Sequence, residues 1–112
     1  MLLQVHTQFD GPRAVVSASG EIDMSTADSL KSEVHAALGR DCTAVTVDLR
    51  QVSFIDSVGL GVLVNCHKQL QQSGGSFRIV ATNASVLRMF EITGLDSVFT
   101  ITRTGPLQNP VA

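Results

Sequence analysis

Tryptophan and tyrosine are absent, and five phenylalanines are the only aromatic rings in 112 residues. The usual anchors of protein interfaces are therefore missing. Any docking surface must rely on close backbone approach, aliphatic contacts and polar pairs. Charge is also scarce. Charged side chains make up 16% of the chain, and eight basic against ten acidic residues leave a net charge of −2. That balance offers no basic footprint for nucleic acid or acidic lipid. Only two cysteines occur, Cys42 and Cys66, too widely spaced for a CxxC redox or zinc motif. Two reduced thiols are expected, with Cys66 on a buried helix face as a small hydrophobe. The longest apolar run, Val58 to Val64, is seven residues and contains two glycines, where a bilayer crossing takes roughly 20. Residues Met1 to His6 show no basic segment and no long apolar segment of a signal peptide. The expectation is a soluble cytoplasmic protein with neither nucleic acid nor membrane as partner.

What is present reads as one α/β domain. At 44% hydrophobic content, a chain of this length can bury a core without a disulfide or metal staple. Residues Leu3 to Phe9 alternate apolar and polar as a half-buried strand does. Asp10-Gly11-Pro12 signals a turn, and Ala14 to Ala18 reads as a second strand, so 3–19 forms a hairpin. Gly20 to Asp23 leaves that strand. Ser25-Thr26-Ala27-Asp28 fits a capping box. Ala27, Leu30, Val34 and Leu38 then recur at helical spacing up to Gly39. A third strand, rich in β-branched residues, covers Thr43 to Leu49.

A second helix is predicted from Ser57 to Ser73, stopped by Gly74-Gly75. One face carries Leu60, Leu63, Cys66, His67 and Leu70; the opposite face carries Ser57, Gly61, Asn65, Lys68 and Gln72. Phe77 to Ala81 is a fourth strand. Asn83 caps a third helix reaching Ile92, with Gly94 just past its end, and Val98 to Ile101 forms a last short strand. The tail 104–112, with Gly105, Pro106 and Pro110, is expected to be loose. Strands alternating with helices imply a largely parallel or mixed sheet with helices packed on it.

Sites in such folds gather where strands end and helices begin. The informative junction is Leu49 to Gly61. Phe54 and Ile55 are expected to anchor its turn in the core. Asp56 and Ser57 fall at the next helix start, where unpaired N–H groups favour anions. Gly59 and Gly61 leave the first turn bare. Glycine costs about 1 kcal/mol against alanine in a helix interior, so both need a reason. Either they permit tight helix–sheet packing, or they let another backbone or a phosphate approach.

Catalytic patterns are missing. No Gly lies two residues before Ser57, so the G-x-S-x-G elbow is absent. There is no P-loop, and Val64 stands where a dinucleotide fingerprint needs a third glycine. His6, His35 and His67 lie on separate elements without ligand spacing, and His67 reads as a satisfied core histidine. No catalytic residue, metal ligand or cofactor is assigned. A nucleotide-binding domain using the glycine-flanked helix start is a weaker reading, because no basic residue follows in the first turn to hold phosphates.

The run Val47-Asp48-Leu49, followed by Val52 to Leu63 with its Asp56-Ser57-Val58-Gly59-Leu60 core, resembles the signature of STAS domains. The likeness is greatest to the bacterial anti-sigma factor antagonists. It extends over roughly residues 2–103 and includes Gly20-Glu21-Ile22-Asp23, Gly74-Gly75, Leu87 to Phe90 and Gly94-Leu95. It implies a single STAS domain over 1–103. The fold would be a mixed, largely parallel sheet of four to five strands with three to four helices. It further implies a non-enzymatic switch. Unphosphorylated, the protein binds an anti-sigma factor that is itself a serine kinase and frees the sigma factor. Phosphorylation of Ser57 turns it off, and a serine phosphatase resets it.

By the same resemblance Asp23, Ser25, Asp56, Val58, Gly59 and Gly61 form the docking surface, and the protein is a monomer or weak dimer. The family often has Ser or Thr where this chain has Val58, which removes a second candidate hydroxyl. A non-phosphorylated scaffold, or a STAS subunit associated with a lipid transporter, is the alternative within the family.

Overall fold

The computed structural model describes residues 2–103. Strand β1 (Leu3–Asp10) turns at Gly11-Pro12 and pairs antiparallel with β2 (Arg13–Ile22). Helix α1 (Ala27–Gly39) leads to β3 (Ala44–Ile55), which runs parallel to β2. Helix α2 (Ser57–Gln72) leads to β4 (Ser76–Val80), and α3 (Ala84–Thr93) to β5 (Thr100–Thr102), each strand parallel to the one before. The five strands lie in the order β1-β2-β3-β4-β5. This is the mixed, largely parallel sheet that the alternation of strands and helices predicts. None of the described helices is long and apolar enough to cross a membrane.

The core lies between one face of the sheet and the helices, with Val86 and Phe90 of α3 buried in it beside α1 and α2. Strand residues Ala14, Val16, Ala18, Val45, Val47, Phe77 and Ile79 are buried against Leu30, Val34, Leu60, Leu63 and Leu70. Both cysteines are buried free thiols, and burial pushes the Cys66 thiol up to about 12. Leu38 is only half-buried. His67 packs its ring edge-on against Phe99 at 5.6 Å and tilted against Phe77 at 6.0 Å. It is not satisfied as predicted, because its buried Nδ1 has no hydrogen-bond partner among the described residues.

Three boundaries differ from the sequence reading, for physical reasons. Strand β3 does not end at Leu49 but continues to Ile55. Its register against β2 slips between Ser17 and Ser19 and again between Gly20 and Glu21. Each slip places an extra β3 residue opposite β2, as a β-bulge does. Burial along β3 therefore falls on Val45, Val47 and Leu49, then on Val52 and Ile55. The period changes from two to three, and simple alternation loses the strand. Asp48 supports the first slip: its carboxylate accepts from the Arg50 N–H at 3.0 Å, from Nε at 3.1 Å and from Nη2 at 2.9 Å. The same contacts hold the Arg50 guanidinium above its usual range.

Likewise β2 does not stop at Ala18 but reaches Ile22, because Gly20 to Ile22 pair with the extended β3. Gly20 has φ +123° and lies against the Leu2 carbonyl, a place no side chain can occupy. Finally, β5 begins at Thr100 rather than Val98, after a single 3-10 turn at Leu95–Ser97. The tail 104–112 lies outside the described residues.

Candidate functional site

Ile22 and Ile55 are partners across β2 and β3, so the residues that follow them emerge side by side at one end of the sheet. The Asp56 N–H donates to the Ile22 carbonyl at 3.0 Å and ties the two exits together. Adjacent strands are about 5 Å apart, which makes the Asp23 and Asp56 loops one surface.

Asp56 is the N-cap of α2, and its Oδ1 accepts from the Val58 N–H at 3.0 Å and the Gly59 N–H at 3.1 Å. Ser57 is the first helical residue and is exposed. The hydrogen bonds around it run from Val58 and Gly59 to Asp56, and among the described residues none takes the Ser57 hydroxyl. Two of the amides expected to form an open anion pocket, those of Val58 and Gly59, are thus already occupied by the neighbouring carboxylate.

The predicted capping box at Ser25 to Asp28 does not form. Thr26, not Ser25, is the residue before α1, and it makes no side-chain cap. Asp23 organises the loop instead. Its Oδ1 accepts from the Ser25 hydroxyl at 2.7 Å, from the Ser25 N–H at 2.9 Å and from the Thr26 N–H at 3.2 Å. The buried Thr26 hydroxyl accepts from the Asp23 N–H at 2.9 Å and donates to the Glu21 carbonyl at 2.7 Å. The Ser25 hydroxyl is the main reason the Asp23 carboxyl is held below its ordinary value. A carboxylate accepting from backbone and side chain satisfies the turn better than a serine cap and leaves the box without a role.

The two glycines separate. Gly59 is buried, and a Cβ there would sit 2.5 Å from Ile22 Cγ2 and 2.8 Å from Ile55 Cγ1. It serves helix–sheet packing and offers a visitor nothing, which removes it from the docking surface. A Cβ at Gly61 would meet nothing within 4 Å. Gly61 opens into a groove of about 440 Å³ between α1 and α2, lined also by Asp28, Lys31, His35, Val58 and Asn65.

Phe54 is not a core anchor. Ile55 points inward, so Phe54, one residue earlier on the strand, points outward and is 43% exposed. It joins exposed Met24 and Val58 at this end of the sheet, with Leu2 hydrogen-bonded through its carbonyl to Glu21, the β2 partner of Phe54. Met24 and Phe54 are exposed apolar side chains next to the two turns that sequence reasoning missed. The available signal was a large apolar side chain directly beside each aspartate-containing turn.

Comparisons with known proteins bear on the family and the fold. A family model described as "STAS domain" matches residues 4–106. The chain is 30% identical over 102 residues to the anti-sigma F factor antagonist of Paenibacillus polymyxa, covering 90% of this chain and 87% of that protein. It is 35% identical over 91 residues to an anti-sigma-F factor antagonist of Mycobacterium tuberculosis, covering 81% and 74%. A crystal structure of an anti-sigma factor antagonist from Mycobacterium paratuberculosis matches with a TM-score of 0.84 at 34% identity, covering 92% and 87%.

Proposed function

The chain belongs to the STAS domain family, and from that premise we propose that it is an anti-sigma factor antagonist switched by phosphorylation of Ser57. Unphosphorylated, it binds its anti-sigma factor and releases the sigma factor. The observation that carries the reading is the Ser57 hydroxyl, exposed at the start of α2 and free of hydrogen bonds to the described residues. A hydroxyl so placed can enter a kinase site without breaking any contact of its own fold.

In this reading the anti-sigma factor is a serine kinase that brings ATP, Mg²⁺ and a general base. The Ser57 oxygen attacks the γ-phosphorus, the bond to the β–γ bridging oxygen breaks, and ADP leaves. The hydroxyl proton passes to the kinase's base. This chain supplies only the acceptor. A serine phosphatase hydrolyses the ester and resets the switch.

Docking uses the joined turns: Asp23 and Ser25 from one, Asp56 and Val58 from the other, with Gly61 allowing close approach at the groove. Met24 and Phe54 add the apolar area that the missing tryptophan and tyrosine do not. Phosphorylation adds about −1.5 to −2 charge. At about 6 Å from a partner carboxylate or nucleotide phosphate this repels by roughly 1–5 kcal/mol. The loss of affinity is about five- to several-thousand-fold, enough to switch partners without refolding.

Incubation with the anti-sigma kinase and labelled ATP tests the assignment. Phosphate is expected on Ser57 and absent from Ser57→Ala; undiminished labelling of that variant rejects it. Ser57→Asp, with one added charge, is expected to lose at least about threefold in partner affinity with its melting temperature retained. Unchanged binding rejects the electrostatic account.

A further inference from the structure

A phosphate on the first residue of a helix ordinarily has a local refuge. The terminal amides are free donors, and the dipole favours negative charge there. At Ser57 two of those amides are taken, and only the Ser57 N–H has no partner among the described residues. Asp56 Oδ1 holds both the Val58 and Gly59 N–H groups, and the Asp56 main chain is fixed on both sides: its N–H on the Ile22 carbonyl, its carbonyl accepting from Leu60 N–H at 3.0 Å. Gly59, wedged under Ile22 and Ile55, leaves the first turn no room to rotate inward and re-aim those amides.

Resting on the reading of Ser57 as phosphoacceptor, we propose that Asp56 is a positioning residue that denies the phosphate the Val58 and Gly59 amides and keeps it presented outward to the partner. The capping carboxylate does two things at once. It holds the first turn while Ser57 is unmodified, and it keeps the new charge from being neutralised locally once it is added. The full repulsion then falls on the partner.

The test does not depend on the kinase. The full chain is made with phosphoserine incorporated at position 57, in the wild-type background and in Asp56→Asn and Asp56→Ala. Asn keeps a capping oxygen without the charge; Ala frees the amides. In the wild type the Val58 and Gly59 amide resonances are expected to hold their positions as the phosphate titrates near pH ~6. In Asp56→Ala the same two amides are expected to move downfield and follow the phosphate titration. In Asp56→Asn they stay capped, while the phosphorus-detected titration midpoint falls by about half a unit, as loss of one charge at about 6 Å requires. Asp23, Glu21, Asp28 and Lys31 are common to all three chains, so the differences report Asp56.

Against the anti-sigma factor, the ratio of unphosphorylated to phosphorylated affinity is expected to shrink several-fold in Asp56→Ala, a quantity that a merely structural cap would not change. Phosphate-linked titration of Val58 and Gly59 in the wild type overturns the proposal, as does an unchanged ratio. If Asp56→Ala does not fold, the Asn variant and the wild-type amides decide. A kinase that labels another residue would sink the function assigned to Ser57 and leave these amide results standing.

Discussion

Two strand-to-helix turns leave the sheet side by side, and each pairs an aspartate with an exposed serine. In the β2–α1 turn the serine is engaged: the Ser25 hydroxyl donates to Asp23 at 2.7 Å. In the β3–α2 turn the aspartate takes two backbone amides and leaves the Ser57 hydroxyl alone. Both serines are exposed. Exposure therefore does not distinguish an acceptor from a structural hydroxyl; engagement does. A kinase reaching for Ser25 would have to break a hydrogen bond to a carboxylate, the stronger kind, and would meet that negative charge on arrival.

The sharpest way to break this comparison is to let the kinase choose between the serines. Under the anti-sigma kinase, the unaltered chain is expected to carry phosphate on Ser57 and none on Ser25. Equal labelling of the two serines would erase the distinction between the turns.

The glycines of the second turn come next. Gly59→Ala drives a methyl into Ile22 and Ile55 and is expected to destabilise by about 1–3 kcal/mol, lowering the melting temperature by roughly 5–15 °C. Gly61→Ala, with open space around it, is expected to stabilise by up to about 1 kcal/mol and yet to weaken partner binding. Stability measured by melting and affinity measured by calorimetry should move in opposite directions at Gly61. Loss of both would mean that Gly61 too belongs to the packing.

The smallest effect is on the acid side of the first turn. The Asp23 carboxyl sits below its ordinary value of 3.8 in the folded protein. The folded state therefore keeps the carboxylate where the unfolded chain takes up a proton. The stabilisation is fully present above the ordinary value and fades as pH falls below 3.8 through the lower folded value. Carboxyl-detected titration is expected to place the Asp23 midpoint below 3.8, and Ser25→Ala to move it back upward. A midpoint unaffected by that substitution would mean that the two serines are alike after all.

Much of the fold was legible because its signals are local. The α1 periodicity of Ala27, Leu30 and Val34, the Asn83 cap and the Gly94 stop of α3 are each determined within a few residues. The Gly94 φ of +76° and the Asn83 acceptance from Ser85 and Val86 amides bear this out. The Asp56-Ser57 helix start was legible for the same reason. What failed was non-local. The bulges in β3 exist because β2 lies beside it, and they turn Val52 inward where simple alternation would point it out. The Ser25 capping box failed because Asp23 and Thr26 found partners in the end of β2, including the Glu21 carbonyl five residues back.

By itself, the order of residues determined an alternating α/β chain and the place where a helix begins with Asp56 and Ser57. Short-range hydrogen bonding and side-chain periodicity suffice for these. Only the tertiary structure decided which glycine is packed and which is open, which serine hydroxyl is engaged and which is free, and that Phe54 faces outward rather than into the core. Those distinctions depend on what lies across the sheet from each residue, and strand pairing brings together positions that are more than thirty apart in the chain.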